Sequence, residues 1–157
     1  LNAFSDYTRH MDLDKTDERI LKNLMVDARL SARQLALKLG ISTVTVLSRI
    51  KKLEREKIIK GYTALIDHEK LGYNLTAIIE IIAKKDKIID MEVEISKIEN
   101  VCGVYDITGN TDTLIIAKFK SRNELSEFVK GLATIPNIEN TITHVVLNTT
   151  KEDFRLT

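Results

Sequence analysis

Tryptophan is absent from this 157-residue chain, and cysteine, proline and glutamine occur once each, as Cys102, Pro136 and Gln34. A single cysteine excludes an intramolecular disulfide and any cysteine-based zinc site, and leaves a reducing cytoplasm as the expected compartment. Three scattered histidines, His10, His68 and His144, make no metal-ligand spacing. No apolar run approaches the roughly 20 residues of a membrane-spanning helix, and no signal-peptide pattern opens the chain. Groupings of Ser/His/Asp or Cys/His are missing, as is a phosphate-binding glycine loop, so neither an enzyme nor a bound cofactor or metal is expected. Cys102 lies inside an expected strand and reads as a small buried hydrophobe, not a nucleophile. Met11 followed by Asp-Leu-Asp has the pattern of a natural start. Residues 1–10 then read as an expression remnant or disordered extension, outside the fold.

What is present is divided charge. From Arg29 to Tyr62 nine lysines and arginines face only Glu54 and Glu56, a balance of +7. From Asp67 onward eleven lysines and arginines face fifteen acidic residues, a balance of −4. A basic segment on an otherwise acidic chain points to a polyanion-binding module joined to a second unit.

The basic part has helical punctuation. Asp14 is placed to cap a first helix, with Asp17 and Glu18 near its positive end. Leu13, Ile20, Leu21, Leu24 and Ala28 recur at helical spacing, which predicts a helix to about Asp27 or Ala28. Ser31-Ala-Arg-Gln34 is a capping box, and Gly40 stops the helix it opens. Ser42 caps a third helix, expected over 42–57, with Ile41 and Val46 as a hydrophobic staple. Val46, Ile50 and Leu53 fall on one narrow face of it. Val44, Ser48, Lys51, Lys52 and Arg55 fall on the other. Two capped helices joined by a tight glycine turn are a helix-turn-helix, and a basic, hydroxyl-bearing outer face suits a DNA major groove. Residues 58–66 read as extended chain, a short wing beside the helices. The domain is expected to span 11–66, with a turn-like linker at 67–74.

Beyond the linker the pattern is β-α-β-β-α-β. Leu75 to Ala83 reads as a strand apolar on both sides, Lys87 to Ile98 as a helix, Val101 to Thr108 and Thr113 to Lys120 as strands. Gly109-Asn-Thr-Asp112 joins those two strands with hairpin-loop chemistry. Ser121-Arg-Asn-Glu124 is another capping box, opening a helix that buries Leu125, Phe128, Val129 and Leu132. A last strand runs over about 138–149. This is an α+β chain: a winged helix-turn-helix followed, over 75–157, by a ferredoxin-like sandwich domain with two helices on one face of its sheet. Covering the other face calls for a partner subunit, hence a homodimer.

The chain resembles the Lrp/AsnC regulators, also called leucine-responsive or feast/famine transcription factors, over nearly all of 13–153. Leu13-Asp14-x-x-Asp17-x-x-Ile20-Leu21, Leu35-Ala36-x-x-Leu39-Gly40-Ile41-Ser42, Arg49-x-x-x-Leu53-Glu54 and Ile58-Ile59-Lys60-Gly61-Tyr62 carry the first half. Leu71-Gly72, Gly109-x-x-Asp112, Ile135-Pro136 and Thr143-x-Val145-Val146-Leu147 carry the second. The resemblance implies a DNA reader joined to a ligand-sensing, oligomerising domain. Its members form dimers that assemble into tetramers, octamers or larger rings, and many respond to an amino acid held near the loop that matches 109–112. The chain departs from the family at Thr111, where many relatives have an aromatic residue, and at Asn137, where glycine is usual.

The candidate DNA contacts are Arg33, Thr43, Val44, Thr45, Leu47, Ser48, Arg49, Lys51, Lys52 and Arg55. Among them Arg49 and Arg55 would hold the backbone, and Val44 and Leu47 would meet thymine methyls or, for Leu47, the core edge. The candidate effector contacts are Gly109, Asn110, Thr111 and Asp112, with Thr141 and Thr143 on one face of the last strand. Loop N–H groups suit a carboxylate, and Asp112 suits an ammonium. A hairpin loop favours Asn, Gly and Asp on its own account as well. The expected function is thus a DNA-binding transcriptional regulator tuned by an amino-acid effector. The alternative is an architectural DNA-binding protein that senses nothing.

Overall fold

The computed structural model describes residues 13–84 and 88–155. The expected remnant at 1–10, the start at Met11 and the first residue of the helix expected from Lys87 lie outside them. The chain divides into two units, one reaching to Leu65 and taking back residues from Asp153 on, the other Ile66–Glu152. Residues 153–155 therefore group with the first unit, although their sequence position had put them in the second domain. Arg155 donates from Nη1 to the Met25 carbonyl at 3.4 Å.

In the first unit α1 spans Lys15–Val26, α2 Ala32–Leu39 and α3 Thr43–Arg55. Each opens on a cap read from the sequence. Asp14 Oδ1 accepts from the N–H groups of Thr16 and Asp17 at 2.8 and 2.9 Å. The Ser31 N–H donates to Gln34 Oε1 at 2.8 Å while the Gln34 N–H donates to Ser31 Oγ at 3.3 Å, a complete capping box. Ser42 Oγ accepts from the Thr45 N–H at 3.0 Å. Gly40 ends α2 at φ 69°, in the left-handed region that costs glycine nothing. The third helix stops before its expected end because Lys57 takes φ 58°, doing for α3 without glycine what Gly40 does for α2. That conformation costs a residue with a side chain roughly 1 kcal/mol.

Ile20, Leu24, Leu35, Ala36, Leu39, Val46 and Leu53 form the core between the three helices. Residues 58–66, expected as a wing, carry neither helix nor strand. A strand is defined by its hydrogen-bonded neighbour, and this segment has no ladder among the described residues.

In the second unit β1 spans Leu75–Ala83, α4 Ile88–Ile95, β2 Val101–Asp106, β3 Thr113–Phe119, α5 Arg122–Leu132 and β4 Ile138–Val145. The sheet order is β2-β3-β1-β4 with every pair antiparallel, which is the expected split β-α-β arrangement. One face of β1 and β3 is wholly buried: Ala77, Ile79, Ile81, Ile115, Ala117 and Phe119 pack with Met91, Ile95 and Leu132 of the helices. The other face carries Thr76, Ile78, Glu80, Ile82, Leu114, Ile116 and Lys118 and is partly exposed in the single chain. β1 is therefore not apolar on both sides in function: Glu80 stands in the middle of its open face.

Three local features differ from the sequence expectation. At α5 Ser121 accepts from the Glu124 N–H at 3.2 Å, but Glu124 returns its bond to the Lys120 N–H at 2.9 Å, one residue before a true capping box. The last strand ends at Val145, opposite Ala77, because β1 has almost run out of residues to pair with. Cys102 proves exposed, not buried, on β2 beside a register shift between Val101 and Gly103.

Candidate functional site

The outer face of α3 is set by how its inner face packs. Val46 and Leu53 are fully buried, which turns Val44, Ser48, Lys51 and Arg55 to solvent. Val44 is 76% exposed and Leu47 46%, a large outlay of apolar surface on a helix that has a core available. Leu47 is thus at the rim and not in the core. Thr43 and Arg33 are exposed as well. Thr45 is tied into the cap: its hydroxyl lies 2.8 Å from Ser42 Oγ.

Two of the candidate contacts point elsewhere. Arg49 Nη1 pairs with Asp14 Oδ2 and lies 3.3 Å from both carboxylate oxygens of Asp17. Lys52 Nζ lies 3.4 Å from Asp17 Oδ2. The Asp17 side chain is 0% exposed, so its charge is compensated inside the unit by these two cations. The Asp14 carboxyl is held below its ordinary value, first by the bond from the Asp17 N–H and then by Arg49, whose own pKa Asp14 raises. From the sequence Asp14 is a helix cap and Asp17 a charge at the helix start, with no partner in the third helix expected for either. The signal for the rest was there: Asp17 sits three and seven residues before Ile20 and Leu24, on the buried stripe of α1.

The effector candidates gather at one end of the sheet but not on one surface. Asp112 bridges the loop to the strands. Its Oδ2 accepts from the Ala83 N–H at 2.9 Å, its N–H donates to the Ile81 carbonyl at 2.9 Å, and its carbonyl accepts from Ile107 at 2.9 Å. One oxygen of the carboxylate expected to meet an ammonium is thus already engaged. Thr111 is buried and donates to Glu80 Oε2 at 2.9 Å, and Glu80 Oε1 lies 3.2 Å from His144 Nε2, a chain on the open face. Thr141 and Thr143 lie opposite Ile81 and Ile79, hence on the helix-covered side. Gly109 and Asn110 are exposed, with Gly109 at φ 134°. The contributions of Glu80, Thr113 and Glu92 were missed. Thr113 is fully buried and donates to Glu92 Oε1 of α4 at 2.8 Å. A lone Glu in the apolar run 75–83 was the available clue.

A basic reading helix on a helix-turn-helix, followed by a β-α-β-β-α-β unit, defines a DNA-binding regulator with a separate sensing module. The comparisons agree. Residues 13–54 match the AsnC-type helix-turn-helix domain and residues 76–156 the Lrp/AsnC ligand binding domain. An uncharacterised HTH-type transcriptional regulator of Pyrococcus furiosus is 47% identical over 93% of this chain and 99% of its own length. The regulator FL11 of Pyrococcus abyssi is 34% identical, covering 93% and 97%. The structure of Escherichia coli AsnC superposes with a TM-score of 0.82 at 27% identity, covering 90% of this chain and 96% of AsnC. A Neisseria meningitidis transcriptional regulator, solved as a complex with L-Met, gives 0.83 at 31% identity, covering 92% and 96%. The chain belongs to the Lrp/AsnC family and is a DNA-binding transcriptional regulator. No helix among the described residues is long and apolar enough to cross a membrane.

Proposed function

We propose that α3 enters the major groove with Thr43, Val44, Leu47, Ser48, Lys51 and Arg55 as its contact set, joined by Arg33 of α2, and that an amino acid bound in the second unit tunes assembly or DNA affinity. The observation that carries the DNA half is the division of α3 into a fully buried apolar edge and an outer face of hydroxyls, cations and exposed valine. Hydroxyls and cations suit base edges and phosphates, and Val44 suits a thymine methyl.

The effector half is supported by likeness to the Neisseria regulator solved with L-Met. It is supported also by the exposed Gly109-Asn110 loop, whose N–H groups suit a carboxylate. Thr141 and Thr143, on the covered side of the edge strand, and the engaged groups Thr111 and Asp112 complete the proposed effector region. The open sheet face bears Ile78, Ile82, Leu114, Ile116, Ile142 and the exposed Tyr105, and suits a second copy of the chain. A homodimer, assembling further into a tetramer, octamer or larger ring, would present α3 in pairs to a two-fold site on DNA.

Two measurements test this. In DNA-binding titrations over a range of salt, Lys51→Ala weakens binding and lowers the slope of log affinity against log salt by about one unit per bound helix-turn-helix; an unchanged slope removes Lys51 from the contact set. Thermal shift and native mass measurements against each of the twenty amino acids, with and without DNA, test the sensor. A ligand at about 100 times its Kd stabilises by roughly 2.7 kcal/mol and shows as a raised Tm, accompanied by a change in assembly. No response to any of them favours the architectural reading.

A further inference from the structure

We infer that Asp14 and Asp17 are positioning residues for DNA reading: they clamp Arg49 and Lys52 onto α1 and withdraw both cations from the phosphate-contacting set. The inference rests on α3 as the reading helix, proposed above, and goes beyond it by dividing the cations of α3 into two groups with different work. The geometry is specific. Arg49 and Lys52, one turn apart on α3, converge on the same Asp17 carboxylate, at 3.3 and 3.4 Å. Asp17 has no exposed side-chain surface, so water cannot solvate its charge in place of them. Asp14 completes the group from the first residue before α1, where its other oxygen already caps the helix. Two carboxylates meet two cations, and the cluster is locally neutral.

Two consequences follow for DNA. The clamp joins α1 to α3 across 35 residues of sequence and fixes the roll of α3 about its axis. That keeps Val44, Ser48, Lys51 and Arg55 outward. The second consequence concerns charge. Lys52 lies on the flank of that outward face, one residue on from Lys51, with its side chain 32% exposed. Helix flanks in a groove face the phosphate backbone. Left free, Lys52 would add a contact that every DNA sequence satisfies equally and would raise non-specific affinity. Held by Asp17, it does not. The acidic pair therefore favours discrimination over bulk affinity.

The test is the salt dependence of binding of the full-length chain to a 30-bp duplex of random sequence, with the melting transition of each variant measured alongside. Lys51→Ala reports on the reading helix itself, and its failure to lower the slope would sink that reading and not the clamp. The clamp predicts that Lys52→Gln, which keeps the stem and loses the charge, leaves the slope unchanged. Asp17→Asn frees Lys52, and the slope steepens by about one unit per bound helix-turn-helix, with tighter binding at low salt. Combining Asp17→Asn with Lys52→Gln returns the slope to that of the native chain, and Asp17→Glu, which keeps the carboxylate, stays near it. A purely structural ion pair would lower the Tm in Asp17→Asn and leave the slope where it was, overturning the inference. Should Asp17→Asn not fold, Lys52→Gln decides alone: an unchanged slope supports the clamp, and a slope reduced as in Lys51→Ala overturns it.

Discussion

The caps that start helices in the first unit are closed over a few residues, whereas the polar bonds at the candidate effector end of the second span tens of residues. In the first, the caps at Ser31 and Ser42 are closed by partners three residues away, while the Asp14–Asp17–Arg49–Lys52 cluster, Arg19 with the Leu39 carbonyl and Arg155 with the Met25 carbonyl reach across the unit. In the second, the polar bonds at the candidate effector end join residues 21, 29, 31 and 64 apart: Thr113 to Glu92, Ala83 to Asp112, Thr111 to Glu80 and His144 to Glu80. The candidate DNA-contacting surface is therefore built on helices whose starts are specified by their own residues. The candidate effector end exists only once the strands of the sheet have found their register. A loop held this way shares its hydrogen-bond partners with the sheet.

The largest expected effects test whether the two cores are separate. Phe119 is fully buried and meets Phe128 edge-on at 5.1 Å, so Phe119→Ala should destabilise by about 3–5 kcal/mol; Leu53→Ala, in the helical core, should do so by about 2–5 kcal/mol. Urea unfolding followed by hydrogen exchange should place each loss in its own unit. Uniform loss of protection across both from either variant would break the comparison.

Thr113→Val comes next. It removes the hydroxyl that satisfies Glu92 and should cost about 1–3 kcal/mol, through a carboxylate left near a buried position. Restoration by Glu92→Gln in the same background, read from the denaturation midpoint, would show that the charge and not the packing was responsible.

Caps should follow. Ser31→Ala should lose about 1 kcal/mol, and more than Ser121→Ala, because only at Ser31 is the box reciprocal. Equal losses in thermal unfolding would mean the second half of the box contributes nothing.

The smallest effect is that of pH on the clamp. The folded-state pKa of Asp14 is lowered by the Asp17 N–H and Arg49, so its contribution is complete above the ordinary carboxylate value and is lost as pH falls through the lower folded one. Stability measured from neutral pH downward should therefore drop more steeply for the native chain than for Asp14→Asn below about pH 4. Asparagine retains the cap, which leaves the charge as the difference. Coincident profiles would mean that the exposed pair contributes nothing to stability.

Much of this molecule was legible before folding. Ser31-x-x-Gln34, Gly40 and Ser42 act on their own neighbours, so helix starts and the tight turn could be read residue by residue. The alternation at 113–119 and the apolar run at 75–83 announced their strands for the same reason. Ends were less legible. Nothing in Lys57 marks it as the residue that turns left-handed, and β4 stops at Val145 because β1 has almost run out, not because of its own residues. Cys102, small and set among strand formers, gave no sign that its position beside a register shift leaves it exposed.

For the candidate sites the division is sharper. The amino-acid sequence by itself determined which residues share the outer side of α3, because a period of 3.6 places Val44, Ser48, Lys51 and Arg55 together wherever the helix lies. It determined the order of strands and helices, and from that order the antiparallel sheet. Only the tertiary structure decided that Arg49 and Lys52 turn back to α1 while Lys51 does not. It likewise decided that Thr111 faces Glu80 on the open side of the sheet while Thr141 and Thr143 lie on the other. A charge's partner is the nearest opposite charge in space, and for Lys52 that group lies 35 residues back along the chain. Periodicity gives the direction in which a side chain points. It does not say what waits there.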